Sequence, residues 1–270
     1  MIPNVLSIAG SDPSGGAGIQ ADIKAISANG AFAMAALTAL TAQNTQGVVG
    51  IHLVPPAFVQ DQIATIFADI RVDAVKIGMI ANADIAAAVG HALDGRTGIP
   101  IVLDPVMIAK GGAALLQPDA VNRLRDILLP MATVLTPNLP EAAHLLNTDT
   151  ATTRDEMAAQ GTALCALGAT AVLMKGGHLE GPDSPDCLVT CDTITWLDAL
   201  RTETANTHGT GCTLSSALAA QLAKGHSVAN ATATAKSYVT HAIAHADALS
   251  VGTGHGPTHH FSRLFQNESA

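Results

Sequence analysis

The chain is poor in aromatic side chains and in positive charge. Of its 270 residues only 3% are Phe, Trp or Tyr, and 13 Lys and Arg stand against 22 Asp and Glu, a formal charge of −9. Gripping a nucleic-acid backbone needs a basic surface, so that class of function is excluded on charge. Long hydrophobic runs are missing too: the apolar stretch Ala31–Leu40 is too short for a membrane span and lies between Asn29-Gly30 and Gln43-Asn44. No basic segment precedes the apolar run ending at Gly10, so the start of the chain reads as a buried strand and not as a signal peptide. The four cysteines, Cys165, Cys187, Cys191 and Cys212, follow neither a CxxC nor a dense disulfide spacing. Free thiols in a reducing, cytoplasmic setting are expected. What remains is aliphatic: 48% of the residues are hydrophobic, a composition that suits helices packed closely on a sheet and excludes disorder.

Short apolar runs alternate with stretches of helical period. Strands are expected at Val5–Ala9, Ala33–Ala42, Val48–Leu53, Ala74–Ile77, Ile99–Leu103, Thr133–Leu135, Ala171–Met174, Asp186–Thr190 and Thr193–Leu197. Helices are expected at Gly16–Ala28, Pro56–Ile70, Asp84–Leu93, Pro118–Leu128, Leu139–Leu146, Thr153–Leu167, Thr213–Lys224 and Val228–Ala246. Several strands are apolar on both faces, as a sheet covered by helices on both sides requires. The pattern predicts an α/β fold: a doubly wound, mostly parallel sheet with helices on both faces. Asp186–Leu197 reads instead as an antiparallel edge pair, within a flap over 178–200. No composition shift long enough for a linker appears, and 1–270 reads as one domain.

Two glycine-rich segments could carry chemistry. Gly10-Ser11-Asp12-Pro13-Ser14-Gly15-Gly16-Ala17-Gly18 follows a strand and opens a helix, where unpaired N–H groups favour a polar or anionic ligand. A tight turn filled by glycine is the alternative, and the dinucleotide fingerprint is not matched in order. Asn206-Thr207-His208-Gly209-Thr210-Gly211-Cys212 also runs into a helix, and its N–H groups can converge on the charge of a transferring phosphoryl group. A thiol at that helix start is expected to be more acidic than a free one; an inert buried cysteine is the alternative. Asp104 ends an apolar strand, Thr136-Pro137-Asn138-Leu139-Pro140-Glu141 follows the next, and Lys175 follows another. All three fall at the carboxyl edge of the sheet, where such folds bind ligands. Lys110 could offer a further ammonium, or simply be solvated. Walker A and protein-kinase signatures are absent, and His241 and His245 lack the glutamate of a zinc-protease helix.

Seven segments in order resemble the bifunctional hydroxymethylpyrimidine/phosphomethylpyrimidine kinases of thiamine biosynthesis. These are Gly10–Lys24, Thr38–Thr45, Lys76–Met79, Asp104–Met107, Thr136–Glu141, Lys175–His178 and Asn206–Cys212. The resemblance implies a ribokinase-like fold and two successive phosphorylations, of 4-amino-5-hydroxymethyl-2-methylpyrimidine and then of its monophosphate. It also implies that Gly10, Asp22, Gln43, Met79 and Val106 line the pyrimidine pocket, that Asn138, Lys175, Thr210 and Lys236 hold ATP, and that Asp104 and Glu141 hold Mg²⁺. Gly209 and Gly211 would form the anion hole. Cys212, where sugar kinases of the wider fold carry Asp, would take the hydroxymethyl proton. A homodimer is implied as well. Pyridoxal kinase is the nearest alternative, followed by a pyrimidine sensor without turnover and, more distantly, a nicotinamide oxidoreductase.

Overall fold

The computed structural model describes residues 1–107 and 118–264. In chain order these form β1 (Asn4–Ala9), α1 (Gly18–Ala28), β2 (Phe32–Leu37), β3 (Ala39–Asn44), β4 (Gly47–Leu53), α2 (Pro56–Asp69), β5 (Ala74–Ile77), α3 (Ala83–Leu93) and β6 (Ile101–Leu103). Then follow α4 (Pro118–Arg123), β7 (Val134–Leu135), α5 (Leu139–Leu146), α6 (Arg154–Ala166), β8 (Ala171–Lys175), β9 (Asp186–Thr190), β10 (Ile194–Leu197), α7 (Thr210–Ala223) and α8 (Val228–Ala244). The expected helix over Pro118–Leu128 is α4 continued by a π-helical turn, Leu124–Leu128. The helix expected from Thr213 starts three residues earlier, at Thr210, so the Gly-x-Gly segment lies at its mouth. Lys110 falls outside the described residues.

Eight strands make one sheet in the order β10-β9-β8-β7-β6-β5-β1-β2. From β2 to β8 every pairing is parallel, whereas β9 and β10 add an antiparallel edge, as expected for Asp186–Leu197. Alternation along each strand divides the core between two faces. On one, Leu6, Ile8, Ile77, Leu103 and Val172 pack with residues of α2 to α6. On the other, Val5, Val102, Val134 and Leu173 pack with Ala217, Ala219, Ala220, Ala231 and Ala235 of α7 and α8. Alanines on these two helices let their backbones approach the sheet closely, which accounts for a core with so few aromatics.

One expected strand divides. Ala33–Ala42 reads as a continuous apolar run, yet β2 ends at Leu37 and β3 leaves the sheet to form a separate antiparallel hairpin with β4. Thr38 makes the break. Its N–H donates to Ala9 O (3.0 Å), its hydroxyl to Met79 O (2.7 Å), and its carbonyl accepts from Val54 N (3.0 Å). The bonds pin it to β1 and to the chain beyond β5, so the backbone turns away there. Beyond Thr38 burial alternates along β3, which marks a hairpin with one solvated face and not a strand covered on both sides.

Candidate active site

Strand order reverses between β1 and β5, since the chain leaves β1 for β2 on one side and returns to β5 on the other. Ligands in open α/β sheets bind beyond the carboxyl ends of the strands at such a point. A cavity of about 1210 Å³ lies there. It exceeds the ~300–1,000 Å³ of a typical single-ligand pocket and has room for two molecules side by side. Its wall carries Gly10, Gln43, Met79, Val106, Asp104, Asn138, Glu141, Lys175, Gly209, Thr210, Gly211, Cys212 and Lys236, every expected site residue except Asp22.

The start of α7 has the geometry of an anion nest. Gly209 caps the helix with φ 74°, and a Cβ there would run into Gly16 O, so only glycine fits on both counts. The Thr210 hydroxyl donates to Thr207 O (2.8 Å) and the Thr213 N–H and hydroxyl to Gly209 O (2.9 and 2.8 Å), which fixes the first turn. Helix geometry leaves the first N–H groups without intrahelical acceptors, aimed out of the end with the positive pole of the dipole. At Gly211 a Cβ would lie 3.2 Å from Lys175 Nζ and 3.6 Å from Asp104 Oδ2. A nest, a cation and a carboxylate thus meet at one point.

Lys175 Nζ donates to Asp104 Oδ1 (2.8 Å) and lies 3.6 Å from Glu141 Oε2. Asp104 also accepts from the Thr136 and Ser215 hydroxyls (3.2 and 3.3 Å). Burial works to raise the Asp104 carboxyl, but Lys175 and Lys76 outweigh it and hold the group below the ordinary range. Burial and the charge of Asp104 raise Glu141, with Lys175 opposing them. Glu141 and Asn138 close a capping box at the start of α5: Asn138 N donates to Glu141 Oε2 (2.7 Å) and Glu141 N to Asn138 Oδ1 (2.8 Å). Two adjacent buried carboxylates sharing one ammonium form a set of hard oxygen donors. This suits Mg²⁺, which takes one or two protein carboxylates and completes its shell with water and phosphate oxygen. Among the described residues no group of three or more His, Cys, Asp or Glu could form a closed protein cage for a metal.

Asp22 does not reach the cavity. It is fully buried and receives Lys76 Nζ on both oxygens (2.9 and 2.9 Å), Ser7 Oγ (2.6 Å) and Ser216 Oγ (2.7 Å). With its lone pairs engaged inside the protein, Asp22 is the counter-ion of Lys76, which is equally buried but borders the cavity. Despite burial, the Asp22, Cys212 and Asp104 charges raise the Lys76 ammonium above its ordinary value and keep it charged. Nearby, burial pushes the Cys212 thiol up to about 11; Lys76 pulls it down, and Asp22 and Asp104 push it further up. The helix start therefore does not make this thiol acidic, contrary to expectation, because loss of hydration is the larger effect. Nothing in the sequence motif assigned a role to Lys76, although a lone lysine in the apolar run Ala74–Ile77 is itself a signal, since a charge in a strand covered on both faces requires a partner.

A second pair joins the two glycine loops. His208 Nε2 lies 2.7 Å from Asp12 Oδ2, and Asp12 also accepts from Ala17 N and from the N–H and hydroxyl of Ser14. Gln43, on β3, contacts the His208 ring. Met79 packs so tightly on Gly10 that a Cβ at Gly10 would collide with its methyl group. On the far wall Lys236 Nζ donates to Ser184 O (2.8 Å) and pairs with Asp186 Oδ2 (2.8 Å), while Gly176 N donates to Asp186 Oδ1 (3.0 Å). The link between Asp12 and His208, 196 residues apart in the chain, is invisible to local sequence reasoning.

A nest at a helix mouth, facing a lysine and two carboxylates across the switch point of a doubly wound sheet, defines a ribokinase-like small-molecule phosphotransferase. Comparison with known proteins narrows this. A family model described as phosphomethylpyrimidine kinase matches residues 12–259. The chain is 52% identical over 258 residues to the hydroxymethylpyrimidine/phosphomethylpyrimidine kinase of Salmonella typhimurium, covering 96% of this chain and 97% of that protein. The Escherichia coli enzyme of the same name matches with the same identity and coverage. Among solved structures, the ADP complex of Bacillus subtilis pyridoxal kinase superposes with a TM-score of 0.90 at 37% identity, covering 98% of this chain and 100% of that one. The phosphomethylpyrimidine kinase of Clostridium difficile superposes with a TM-score of 0.79 at 40% identity, covering 89% and 99%. This chain belongs to the phosphomethylpyrimidine kinase family.

Proposed function

We propose that the protein transfers the γ-phosphoryl group of ATP to the hydroxymethyl oxygen of 4-amino-5-hydroxymethyl-2-methylpyrimidine, and then a second phosphoryl group to that monophosphate, in thiamine biosynthesis. The observation that carries this reading is one cavity wall holding both an anion nest with Lys175, Asp104 and Glu141 and a ring site of Gln43, Met79 and Gly10. An aminopyrimidine presents a donor beside an acceptor, which the Gln43 amide can answer with its own pair, while the Met79 thioether packs against the ring. Val106 lines the same cavity.

Lys175 meets the triphosphate as a point charge, and Asn138, Thr210 and Lys236 border the nucleotide side. Asp104 and Glu141 would hold Mg²⁺, whose charge offsets that of the phosphates during transfer. The N–H groups of Gly211 and Cys212 receive the transferring phosphoryl oxygens. In the first reaction the hydroxymethyl oxygen forms its bond to the γ-phosphorus as the bond to the bridging oxygen of ADP breaks, and the hydroxyl proton passes to the Cys212 thiolate. A thiol near 11 is ionised in only about 1 molecule in 10⁴ at neutral pH, but a loose transition state needs its proton removed only late. In the second reaction the acceptor is a phosphate oxygen that is already ionised, the second phosphate pKa being about 6. Cys212 has no proton to remove there.

The working state is a homodimer in the cytoplasm. In support, Leu40, Val49 and Ile51 of the β3–β4 hairpin and Phe58 of α2 are exposed apolar side chains. The cysteines are free, and no helix among the described residues is long and apolar enough to cross a membrane. Sedimentation of the wild type and of Val49→Lys tests the dimer: a dimer weakened by the lysine supports it, and a monomeric wild type overturns it. Catalytic efficiency with Mg-ATP on the aminopyrimidine and on pyridoxal tests the substrate. The aminopyrimidine is expected to be preferred; a strong preference for pyridoxal contradicts the reading.

A further inference from the structure

We propose that residues 252–257 form a bracket that sets the spacing between the β3–β4 hairpin and the anion nest, with Gly254 and Thr45 as positioning residues for the acceptor substrate. The inference rests on the reading above that the hairpin side of the cavity takes the acceptor and the Lys175 side takes ATP.

The hairpin stands outside the eight-stranded sheet, and two strands alone are at best marginally stable in water. Its base is pinned at Thr38, and Thr41 Oγ1 donates to Ser11 O (2.9 Å). Its tip, at Thr45 between β3 and β4, is held by a segment more than 200 residues further along the chain. His255 N donates to Thr45 O (2.9 Å), Gly254 N to Thr45 Oγ1 (3.2 Å) and Gln46 Nε2 to Thr253 Oγ1 (3.1 Å). The two backbones lie so close that a Cβ on Gly254 would collide with Thr45 O and come within 2.6 Å of its carbonyl carbon.

The next residue grips the approach to the nest. His208 N donates to Gly256 O (3.0 Å), Gly256 N donates to Asn206 Oδ1 (3.1 Å), and Pro257 pairs with His208 in a parallel bridge. Asp247 fixes Asn206 in turn, its Oδ1 accepting from Asn206 Nδ2 (2.7 Å) and Thr204 Oγ1 (2.6 Å). His208 immediately precedes Gly209, the cap of α7. Adjacent residues of one segment, His255 and Gly256, therefore hold the hairpin tip and the loop that leads into the nest. Both of those structures border the cavity, through Thr41 and Gln43 on one side and Thr207 to Cys212 on the other, whereas none of residues 252–257 does. The bracket touches no substrate and acts through the two walls it joins. The acceptor's reacting oxygen must meet the nest while its ring rests on the hairpin side, so a shift of the hairpin moves that oxygen off line.

The test is Gly254→Ala. Gly254 is exposed and its φ lies outside the left-handed region, so alanine is disfavoured there through its contact with Thr45 alone. The kcat/KM for the acceptor is expected to fall about tenfold while KM for ATP stays within about twofold, because small displacements at the reacting centre are costly. Amides of β4 should exchange with solvent faster than in the wild type, with those of β5 unchanged. Unchanged acceptor kinetics in the folded variant, or an equal loss toward both substrates, overturns the proposal. Should Gly254→Ala not fold, Thr45→Val removes the oxygen that accepts from Gly254 N: the same split between acceptor and ATP supports the bracket, and its absence overturns it. The split is expected with whichever acceptor the wild type phosphorylates, so a wild type that turns over only pyridoxal sinks the substrate reading and leaves this test standing. Hydrogen exchange needs no substrate, and an unchanged hairpin in Gly254→Ala overturns the bracket under either reading.

Discussion

Lys76 Nζ stands 2.9 Å from both carboxylate oxygens of Asp22, and neither side chain is exposed to solvent. The pair lies under the anion nest, with Cys212 and Asp104 close enough to act on the Lys76 charge. Breaking such a pair leaves a buried charge uncompensated, which costs about 3–5 kcal/mol. Asp22→Asn is expected to lose stability of that order in urea unfolding. Lys76→Met should lose less, because Ser7 and Ser216 still donate to the carboxylate. Asp22→Leu with Lys76→Met should return toward wild-type stability.

Gly211 tests the nest. Its place in the first turn of α7 tolerates alanine, which favours helix, so Gly211→Ala should be as stable as the wild type or slightly more so. Its Cβ would nevertheless stand 3.2 Å from Lys175 Nζ, on the path proposed for the phosphoryl group. A loss on the order of 10²-fold in kcat/KM is expected, since small misplacements at the reacting centre cost about that much. Steady-state kinetics beside a thermal melt separates the two effects.

Cys212 predicts a contrast between the two reactions. Burial pushes its thiol up to about 11, and only the thiolate can accept a proton. The kcat/KM of the first phosphorylation should therefore climb about tenfold per pH unit between about pH 7 and 9, as the thiolate fraction does. The second phosphorylation, whose acceptor is already ionised, should lack that slope. Cys212→Ser should slow the first reaction by about 10²-fold or more and the second far less. Equal losses in both would assign Cys212 to positioning and not to proton transfer.

His260 links stability to pH. It is buried, its Nε2 lies 3.0 Å from Thr213 Oγ1, and burial lowers its pKa to about 4. The folded state thus holds it neutral, whereas the unfolded chain protonates it near its ordinary value of about 6.5. Its contribution is fully present above about 6.5, falls as the pH drops through that value, and is lost by about 4, a change of up to about 3 kcal/mol. His260→Gln should flatten that part of the stability curve in denaturant titrations from pH 7 to 4.

Much of this was readable in the sequence because it is local. Apolar runs set the strands, and loops ending in Asp104, Asn138 and Lys175 had to emerge at one sheet edge once the strands were parallel. The break at Thr38 was not readable, because Ala39 and Leu40 are as apolar as the residues before it and the break depends on bonds to Ala9, Val54 and Met79. Asp22 was placed on the pocket wall by resemblance, but Lys76 reaches it from 54 residues away and takes its place there. The acidity of Cys212 was misjudged for a related reason. A helix start is visible in a sequence, whereas the burial and the two carboxylates that oppose it are not.

The central claim is that this cavity moves phosphoryl groups onto an aminopyrimidine twice. Phosphorus NMR of the products formed from 4-amino-5-hydroxymethyl-2-methylpyrimidine and Mg-ATP tests it most directly. A monoester resonance that appears first and then gives way to the paired resonances of a diphosphate, with ADP formed in step, is the predicted result. Unchanged pyrimidine with intact ATP, under conditions in which pyridoxal is phosphorylated, would contradict it.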